Sequence, residues 1–196
     1  MSTMKLKVTG VTPLLMHSDR YANPLDAMAK QHKSLTSKRK KTDDDHAAIA
    51  RSELLGSLYY NKEQGIHLPA ENLKACLVEA AKLNRLGTEF KRSLMILEDV
   101  LPLDYRGPKD PEALADDPNF VLAKSVVVTG GSRIMRVRPR FPAGWSFTAN
   151  IEFDETRIDP SELKIVVENA GRYVGLGDWR PAKGGSYGRF TCEVMQ

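Results

Sequence analysis

The sequence is poor in the side chains that build metal centres and disulfide frameworks. It has two cysteines, Cys76 and Cys192, and four histidines in 196 residues. No two histidines stand at ligand spacing and no acid cluster follows a helical register, so we expect no metal site and no cofactor. Each cysteine lies in an apolar pattern, as a small buried hydrophobe would. Unpaired thiols are typical of a reducing compartment, and we expect the protein to be cytoplasmic.

Long apolar runs and nucleotide-binding motifs are also missing. No run is long enough to span a bilayer, and the first residues lead straight into a strand pattern without a signal peptide, so we expect no membrane partner. No GxxxxGK[ST] pattern occurs, which argues against a P-loop nucleotidase. Gly175-Leu-Gly177 begins like a dinucleotide fingerprint, but Arg180 takes the place of the third glycine. The stretch also follows a predicted helix, the reverse of the context that this motif needs.

Positive charge, in contrast, is present in three clusters. The total is mild, with 29 Lys and Arg against 25 Asp and Glu, a formal net charge of +4. The clusters are Lys38, Arg39, Lys40 and Lys41; Arg133, Arg136, Arg138 and Arg140; and a glycine-rich stretch near the C-terminus. Separate basic clusters favour a polyanionic partner, although a well-mixed solvated surface is the alternative.

The glycine-rich stretch, residues 171–190, combines three features of a nucleic-acid interface. Its glycines are Gly171, Gly175, Gly177, Gly184, Gly185 and Gly188, its cations Arg172, Arg180, Lys183 and Arg189, and its aromatic residues Tyr173, Trp179, Tyr187 and Phe190. Glycine lets a ligand approach the backbone, cations contact phosphates, and aromatic faces stack on bases. We therefore predict that a nucleic-acid strand binds here. The alternative is a flexible hairpin that closes the last strand.

The other two clusters each have a second explanation. Short strands are predicted at residues 125–128 and 134–138, separated by residues 129–131. Extended backbone would place Arg136, Arg138 and Arg140 on one face, a good phosphate contact; the alternative is an edge strand protected by charge. The run Lys38–Lys41 precedes Thr42 and Asp45, which predict a capping box, so its charges are also explained by the start of a helix.

The order of the predicted elements indicates the fold. Strands are predicted at residues 4–12, 94–103, 145–153 and 189–195, with core helices beginning at Pro69 and Asp159. This is the β-α-β-β-α-β order of the α+β ferredoxin-like (RRM-like) fold, an antiparallel sheet with both helices on one face. We expect one domain over residues 1–196. A helical insertion at about 17–62 follows the first strand, with a helix from Asn23-Pro24 and another from Thr42, and a basic, turn-rich insertion at about 104–140 separates the central strands.

Three segments have counterparts in one known family. They are Val11-Thr-Pro-Leu14 at the end of the first strand; Ile66-His-Leu-Pro-Ala-Glu-Asn-Leu-Lys74, similar to that family's helix start I-P-x-S-S-L-K-G; and residues 175–190, similar to its C-terminal glycine-rich loop. On these residues the chain resembles the repeat-associated mysterious protein (RAMP) superfamily, and within it the backbone subunits of CRISPR effector complexes.

The resemblance implies an RNA-binding structural subunit of an antiviral ribonucleoprotein. Such a subunit coats a single-stranded guide RNA, self-associates into a filament or multi-copy complex and meets other effector subunits. The insertion at about 104–140 would be thumb-like and wedge the guide–target duplex. Glu71, Asn72 and Ala75 depart from the family's helix start, and the chain is short for a backbone subunit. A stand-alone or phage-encoded relative is therefore an alternative.

Catalysis has weaker support in the sequence. Some family members cut RNA with a His, a Tyr, or an Asp in the loop after the first strand. The candidates here are His17, Asp19 and Asp26 near that loop, and His67 beside the core helix. None forms a signature, and an Asp in a loop is more often a turn or cap residue. The sequence thus favours RNA binding; a metal-independent endoribonuclease and a protein-interaction module on the same fold are the alternatives.

Overall fold

A computed structural model describes residues 1–127 and 130–195. The strands are β1 (Ser2–Gly10), β2 (Leu14–Leu15), β3 (Tyr60–Asn61), β4 (Gly65–Pro69), β5 (Leu94–Ile96), β6 (Val100–Pro102), β7 (Val121–Val127), β8 (Arg133–Phe141), β9 (Ser146–Phe153) and β10 (Phe190–Met195). The helices are α1 (Ala27–Thr36), α2 (Asp43–Gly56), α3 (Ala70–Ala81), α4 (Gly87–Ser93), α5 (Pro111–Asp116) and α6 (Pro160–Asn169). Val128 and Thr129, predicted as a strand end and the start of a turn, lie outside the described residues.

The chain divides into two compact units. The first comprises Met1–Leu15, Asn61–Arg106 and Phe141–Gln196, and the second comprises Met16–Tyr60 and Gly107–Arg140. The second unit therefore combines residues from both of the stretches that the sequence predicted as separate insertions.

The first unit is built on a four-stranded sheet in the order β10-β1-β9-β5, with antiparallel neighbours throughout. Helix α3 lies in sequence between β1 and β5, and α6 lies between β9 and β10. Counted along the chain, the strand order is 4-1-3-2, so the α+β fold with ferredoxin-like order is confirmed.

Alternation along the strands explains why this sheet has one buried face. In β1, Leu6 and Val8 are fully buried whereas Lys5 and Lys7 are exposed, as expected for side chains that point to opposite faces. The apolar positions of β9 are all buried: Phe147, Ala149, Ile151 and Phe153. Helices α3 and α6 contact each other, α3 contacts β5, and α6 contacts β10.

Local signals set where the two core helices begin. The Asp159 carboxylate accepts a 2.7 Å hydrogen bond from the Ser161 amide, and Pro160 occupies the first helical position, a favoured combination. Helix α3 begins directly after Pro69 and buries Leu73 and Cys76 on one face. Both starts agree with the prediction.

The predicted strand over residues 94–103 is wrong in one respect, because it is two strands. Strand β5 pairs with β9, whereas β6 pairs with β4. The break falls at Glu98, whose carboxylate accepts hydrogen bonds from the backbone amide (3.0 Å) and the side-chain amide (2.6 Å) of Asn150. The turn-rich insertion predicted at about 104–140 also contains a helix, α5, which Asp110 caps by accepting from the Ala113 amide at 3.0 Å.

The second unit contains α1, α2, α5 and the antiparallel hairpin of β7 and β8. Helix α1 begins at Ala27, not at the predicted Asn23-Pro24. Asp26 is the cap, and its carboxylate accepts from the amides of Met28 (2.8 Å) and Ala29 (3.2 Å). The capping box of Thr42 and Asp45 at the start of α2 is confirmed. In the part of the chain that the structure describes, none of the helices has the length and apolar character to cross a membrane.

Candidate nucleic-acid interface

The glycine-rich segment, residues 171–190, is held in place by hydrogen bonds to the end of β1 and the residues after it. The Asp178 amide donates to the Leu15 carbonyl at 2.9 Å, and the Gly188 amide donates to the Pro13 carbonyl at 2.8 Å. Within the segment, the Leu176 amide donates to the Gly188 carbonyl at 2.9 Å. These bonds give the segment a defined path, unlike the flexible hairpin considered as the alternative.

Most of the glycines in this segment are explained by internal packing. A Cβ atom added at Gly188 would lie 1.8 Å from the Leu176 carbonyl oxygen, and one at Gly185 would lie 1.6 Å from the Trp179 carbonyl oxygen. Gly175 and Gly177 are similarly crowded, at 2.7 and 2.2 Å from their nearest neighbours, whereas Gly184 faces open space. Internal packing therefore accounts for glycine at these four positions, because protein atoms fill the space that a Cβ would take.

Trp179 is the unusual residue of the segment. Its φ is 48°, in the left-handed region that bulky side chains rarely adopt. Its amide donates to the Asp178 carboxylate at 2.9 Å, and its carbonyl accepts from the Tyr187 amide at 3.3 Å. The ring is half-buried, and its centroid lies 6.3 Å from that of the half-buried Tyr187 ring, with a 52° angle between the planes. The backbone thus holds two aromatic rings together at the surface.

Three predicted phosphate contacts lie close to this aromatic pair in sequence, two between the aromatic residues and one after them. Lys183 and Arg189 are exposed. Arg180 is half-buried and donates to the Gly177 carbonyl at 3.2 Å, while its guanidinium lies 3.7 Å from the Glu79 carboxylate. The segment therefore combines aromatic faces with cations at the surface.

Cys76 lies beneath the segment. It is buried and its thiol donates to the Gly175 carbonyl at 3.3 Å. Burial raises the pKa of this thiol to about 12, so it is neutral and unreactive at physiological pH. The sequence predicted a small buried hydrophobe and missed this hydrogen bond. Cys192, predicted to be buried as well, is only half-buried.

The open face of the sheet offers no aromatic platform. RRM-type sheets stack bases on exposed aromatic residues of their strands. The aromatic residues of the four strands here, Phe147, Phe153 and Phe190, are all buried. The solvent-accessible aromatic rings of the first unit therefore lie in the glycine-rich segment and not on the sheet.

In the second unit, the arginine row on β8 differs from the exposed row that the sequence predicted. Arg138 is 5% exposed and donates to the Glu53 carboxylate at 2.7 Å. The Val137 amide also donates to Glu53, at 3.2 Å, and Arg136 approaches the same carboxylate at 3.5 Å. Because its guanidinium is buried in an ion pair, Arg138 does not face solvent as a phosphate contact would.

The remaining second-unit cations are more accessible. Arg140 is half-buried and donates to the Asn119 carbonyl at 3.0 Å, and Arg133 is exposed. In the first cluster, Arg39 and Lys40 are exposed.

The ends of that first cluster are engaged within the chain. Lys38 lies 2.5 Å from the Asp45 carboxylate, and Lys41 donates to the Lys38 carbonyl at 2.7 Å. The Lys38 hydrogen bond, together with the Thr42 amide, lowers the pKa of Asp45 to about 2. The local explanation by helix capping thus accounts for Lys38 and Lys41.

The four residues that the sequence offered as catalytic candidates have the following contacts and locations in the structure. Asp26 caps α1, as described above. His67 is buried and donates from Nδ1 to the Gly65 carbonyl at 2.9 Å. His17 Nε2 lies 3.4 Å from the Arg138 guanidinium, which can only donate, so this nitrogen accepts. Asp19 is exposed and lines an open concavity of about 530 Å³ together with Arg20 and Asp26.

Comparison with known proteins supports the fold. No family model matches the chain, and no curated protein matches it. Among solved structures, the chain is similar to a chain from the cryo-electron microscopy structure of Type III-B Cmr-beta bound to cognate target RNA. The TM-score is 0.51 at 12% identity, and the match covers 99% of this chain and 60% of the other. This chain thus spans 60% of the length of its structural neighbour, and a likeness at this identity concerns the fold.

Proposed function

We propose that the protein binds single-stranded RNA through the glycine-rich segment and serves as a structural subunit of a CRISPR-type ribonucleoprotein. Trp179 carries this proposal. A bulky residue at positive φ is strained, and such strain persists where the surrounding structure enforces it, often at functional sites. Here the strained backbone places an indole ring beside Tyr187 at the surface.

The chemistry of the segment suits RNA in single-stranded form. Aromatic faces stack on bases only where the bases are unpaired, as in single strands and loops. Arg180, Lys183 and Arg189 would neutralise phosphates on the same strand, without reading its sequence. Binding of this kind is tolerant of sequence and sensitive to salt.

The assignment to a CRISPR-type complex rests on two independent supports. The sequence resembles RAMP backbone subunits in three segments, and the fold is similar to a chain of a structure whose complex contains target RNA. Repeated copies along a guide RNA, with other effector subunits as partners, follow from the same resemblance.

The test is a salt titration of RNA binding. Each phosphate contact on a single strand contributes about 0.7 to the slope of log affinity against log salt, which corresponds to about fourfold in affinity at 0.15 M salt. We expect Arg180→Ala with Lys183→Ala to lower the magnitude of the slope by about 1.4 on oligouridylate. An unchanged affinity and slope would show that the segment does not hold the strand.

The matched control removes two charges elsewhere in the same unit. Lys5 and Lys7 are exposed on the open face of the sheet, which has no aromatic platform. We expect Lys5→Ala with Lys7→Ala to leave the salt slope unchanged. If the control lowered the slope as much as the segment variant, net charge and not the segment would account for binding.

A metal-independent endoribonuclease is the second candidate function. The observation that favours it is the concavity of the second unit, which Asp19, Arg20 and Asp26 line together. Product analysis with a labelled hairpin RNA tests this candidate, and cleavage abolished by Asp19→Asn would support it.

A further inference from the structure

A second basic surface of the first unit lies in a groove between α3 and α4. The groove has a volume of about 720 Å³ and is open to solvent. Its lining includes the small residues Ala75, Val78 and Gly87. Four cations line it: Lys74, Lys82, Arg85 and Lys91. These four cations form no cluster in the sequence, because they are spread over 18 positions of the chain.

The four cations of the groove are not engaged in ion pairs among the residues that the structure describes. Within residues 1–127 and 130–195, none of the four cations pairs with an acid. Two acids also line the groove, Glu71 and Glu79, which leaves an excess of two positive charges. An uncompensated basic groove attracts a polyanion.

The shape and lining distinguish among ligands. Small-molecule sites enclose most of their ligand, whereas this groove is open to solvent and is lined by four lysine and arginine side chains. Protein interfaces are depleted in lysine. An open channel with long, flexible cations suits a phosphodiester backbone that runs along it.

One contact connects the groove to the glycine-rich segment. Glu79 lines the groove, and its carboxylate lies 3.7 Å from the Arg180 guanidinium. Arg180 therefore stands at the margin of both surfaces. A strand whose phosphate contacts Arg180 therefore lies beside a residue that lines the groove.

We infer that the α3–α4 groove binds the phosphate backbone of the same RNA strand that the glycine-rich segment holds, an inference that rests on the proposed function. The segment fixes bases by stacking, and the groove neutralises phosphates further along the strand. The bound RNA is therefore longer than the segment alone accommodates.

The experiment compares oligouridylates of roughly 4 and roughly 16 nucleotides, which bracket the site sizes of single-strand binding domains. The groove variant is Lys82→Gln with Lys91→Gln, which removes one charge from each wall and keeps the aliphatic stems. The matched control is Arg92→Gln with Lys164→Gln, two exposed cations outside the groove lining. For the longer RNA we expect the groove variant to lose about fourfold in affinity per removed contact at 0.15 M salt, and for the shorter RNA no loss.

Each outcome separates the inference from the proposed function. If the groove variant matches the control on the longer RNA while Arg180→Ala with Lys183→Ala still weakens binding, the groove inference fails and the segment assignment stands. An equal loss on both RNA lengths would overturn the inference of a strand that continues from the segment into the groove. If the native protein binds neither RNA at low salt, the proposed function itself fails.

Discussion

At the scale of single residues, the strained Trp179 allows stacking and backbone strain to be measured separately. Replacement by alanine removes the ring but keeps a Cβ at φ 48°, whereas replacement by glycine removes both the ring and the strain.

We expect Trp179→Ala and Trp179→Gly to weaken RNA binding equally, by about 1–3 kcal/mol for a lost stacked base. We expect the glycine variant to be more stable than the alanine variant, with a free energy of unfolding about 1 kcal/mol higher, because glycine adopts the left-handed region freely. RNA titration and urea unfolding measure the two effects. Tyr173→Ala, which removes a 53% exposed ring of the same segment, is the control and should retain affinity. Full RNA affinity in both Trp179 variants would refute the stacking role.

Asp26 distinguishes a capping role from a catalytic one. Its carboxylate accepts from two amides of the first turn of α1. Loss of such a cap in Asp26→Ala should lower the free energy of unfolding by about 1 kcal/mol, whereas Asp26→Asn should preserve it, since asparagine caps equally well. Urea unfolding of both variants checks this expectation. If the native protein cleaves a labelled RNA and the stable Asn variant does not, the carboxylate has a catalytic role beyond the cap.

Single residues also show where sequence reasoning succeeds and fails. Asp159 and Pro160 predicted the start of α6, because an apolar stripe follows them. Asp110 and Pro111 form the same local signal, but the sequence predicted only a turn-rich insertion there, since α5 is six residues long and buries just Leu114. Where no apolar residues follow at helical spacing, a helix cap and a turn have the same sequence pattern.

At the scale of elements, the Glu53–Arg138 pair links α2 to β8. The sequence pattern could show that Arg138 lies on one face of a strand. It could not show that an acid from a helix 85 positions away meets that face, because the pairing depends on long-range packing. The sequence therefore predicts an exposed arginine row on β8 and does not reveal that Arg138 is buried in an ion pair with Glu53.

The pair gives a prediction for stability. Removing one partner leaves a buried charge, so we expect Glu53→Leu or Arg138→Met alone to lower the free energy of unfolding by about 3–5 kcal/mol. The double variant should recover part of this loss, because buried ion pairs are often replaced by apolar residues without penalty, whereas the Val137 amide still loses its Glu53 acceptor. Urea unfolding of all three variants measures the coupling.

Arg133→Ala is the control for this cycle, since its exposed side chain should change stability by about 0.5 kcal/mol or less. The RNA salt slope of the double variant should equal that of the native protein. A double variant no more stable than either single variant would contradict the ion-pair interpretation.

The glycine-rich segment shows a second limit at the element scale. Its composition predicted an interface, but glycines needed for ligand approach and glycines needed for internal packing look alike in a sequence. The structure separates them by the atoms that a Cβ would meet: Gly188 is blocked by the Leu176 carbonyl, whereas Gly184 is open. The cations and aromatic rings, and not the crowded glycines, therefore define the candidate contact surface.

At the scale of the whole molecule, the order of strands and helices was sufficient to predict the first unit. Period-two strands and two capped helices in β-α-β-β-α-β order leave few alternatives to a 4-1-3-2 sheet. The second unit could not be predicted, because it is assembled from two stretches that β4, α3, α4, β5 and β6 separate in sequence. Periodicity describes each stretch but contains no information on which distant stretch it packs against.

The last prediction concerns assembly on RNA. Contacts to phosphates and stacked bases do not select a sequence, so every position along a single strand is equivalent, and several copies should bind side by side on a long strand. We expect the mass measured by light scattering after size exclusion to rise in steps of one protomer as oligouridylate is lengthened. High salt should reverse this assembly. A duplex RNA of the same length is the control and should bind fewer copies, because its bases are not available to Trp179. One copy per RNA at every length would contradict a coating function, and it would leave a single-site RNA-binding protein as the simpler description.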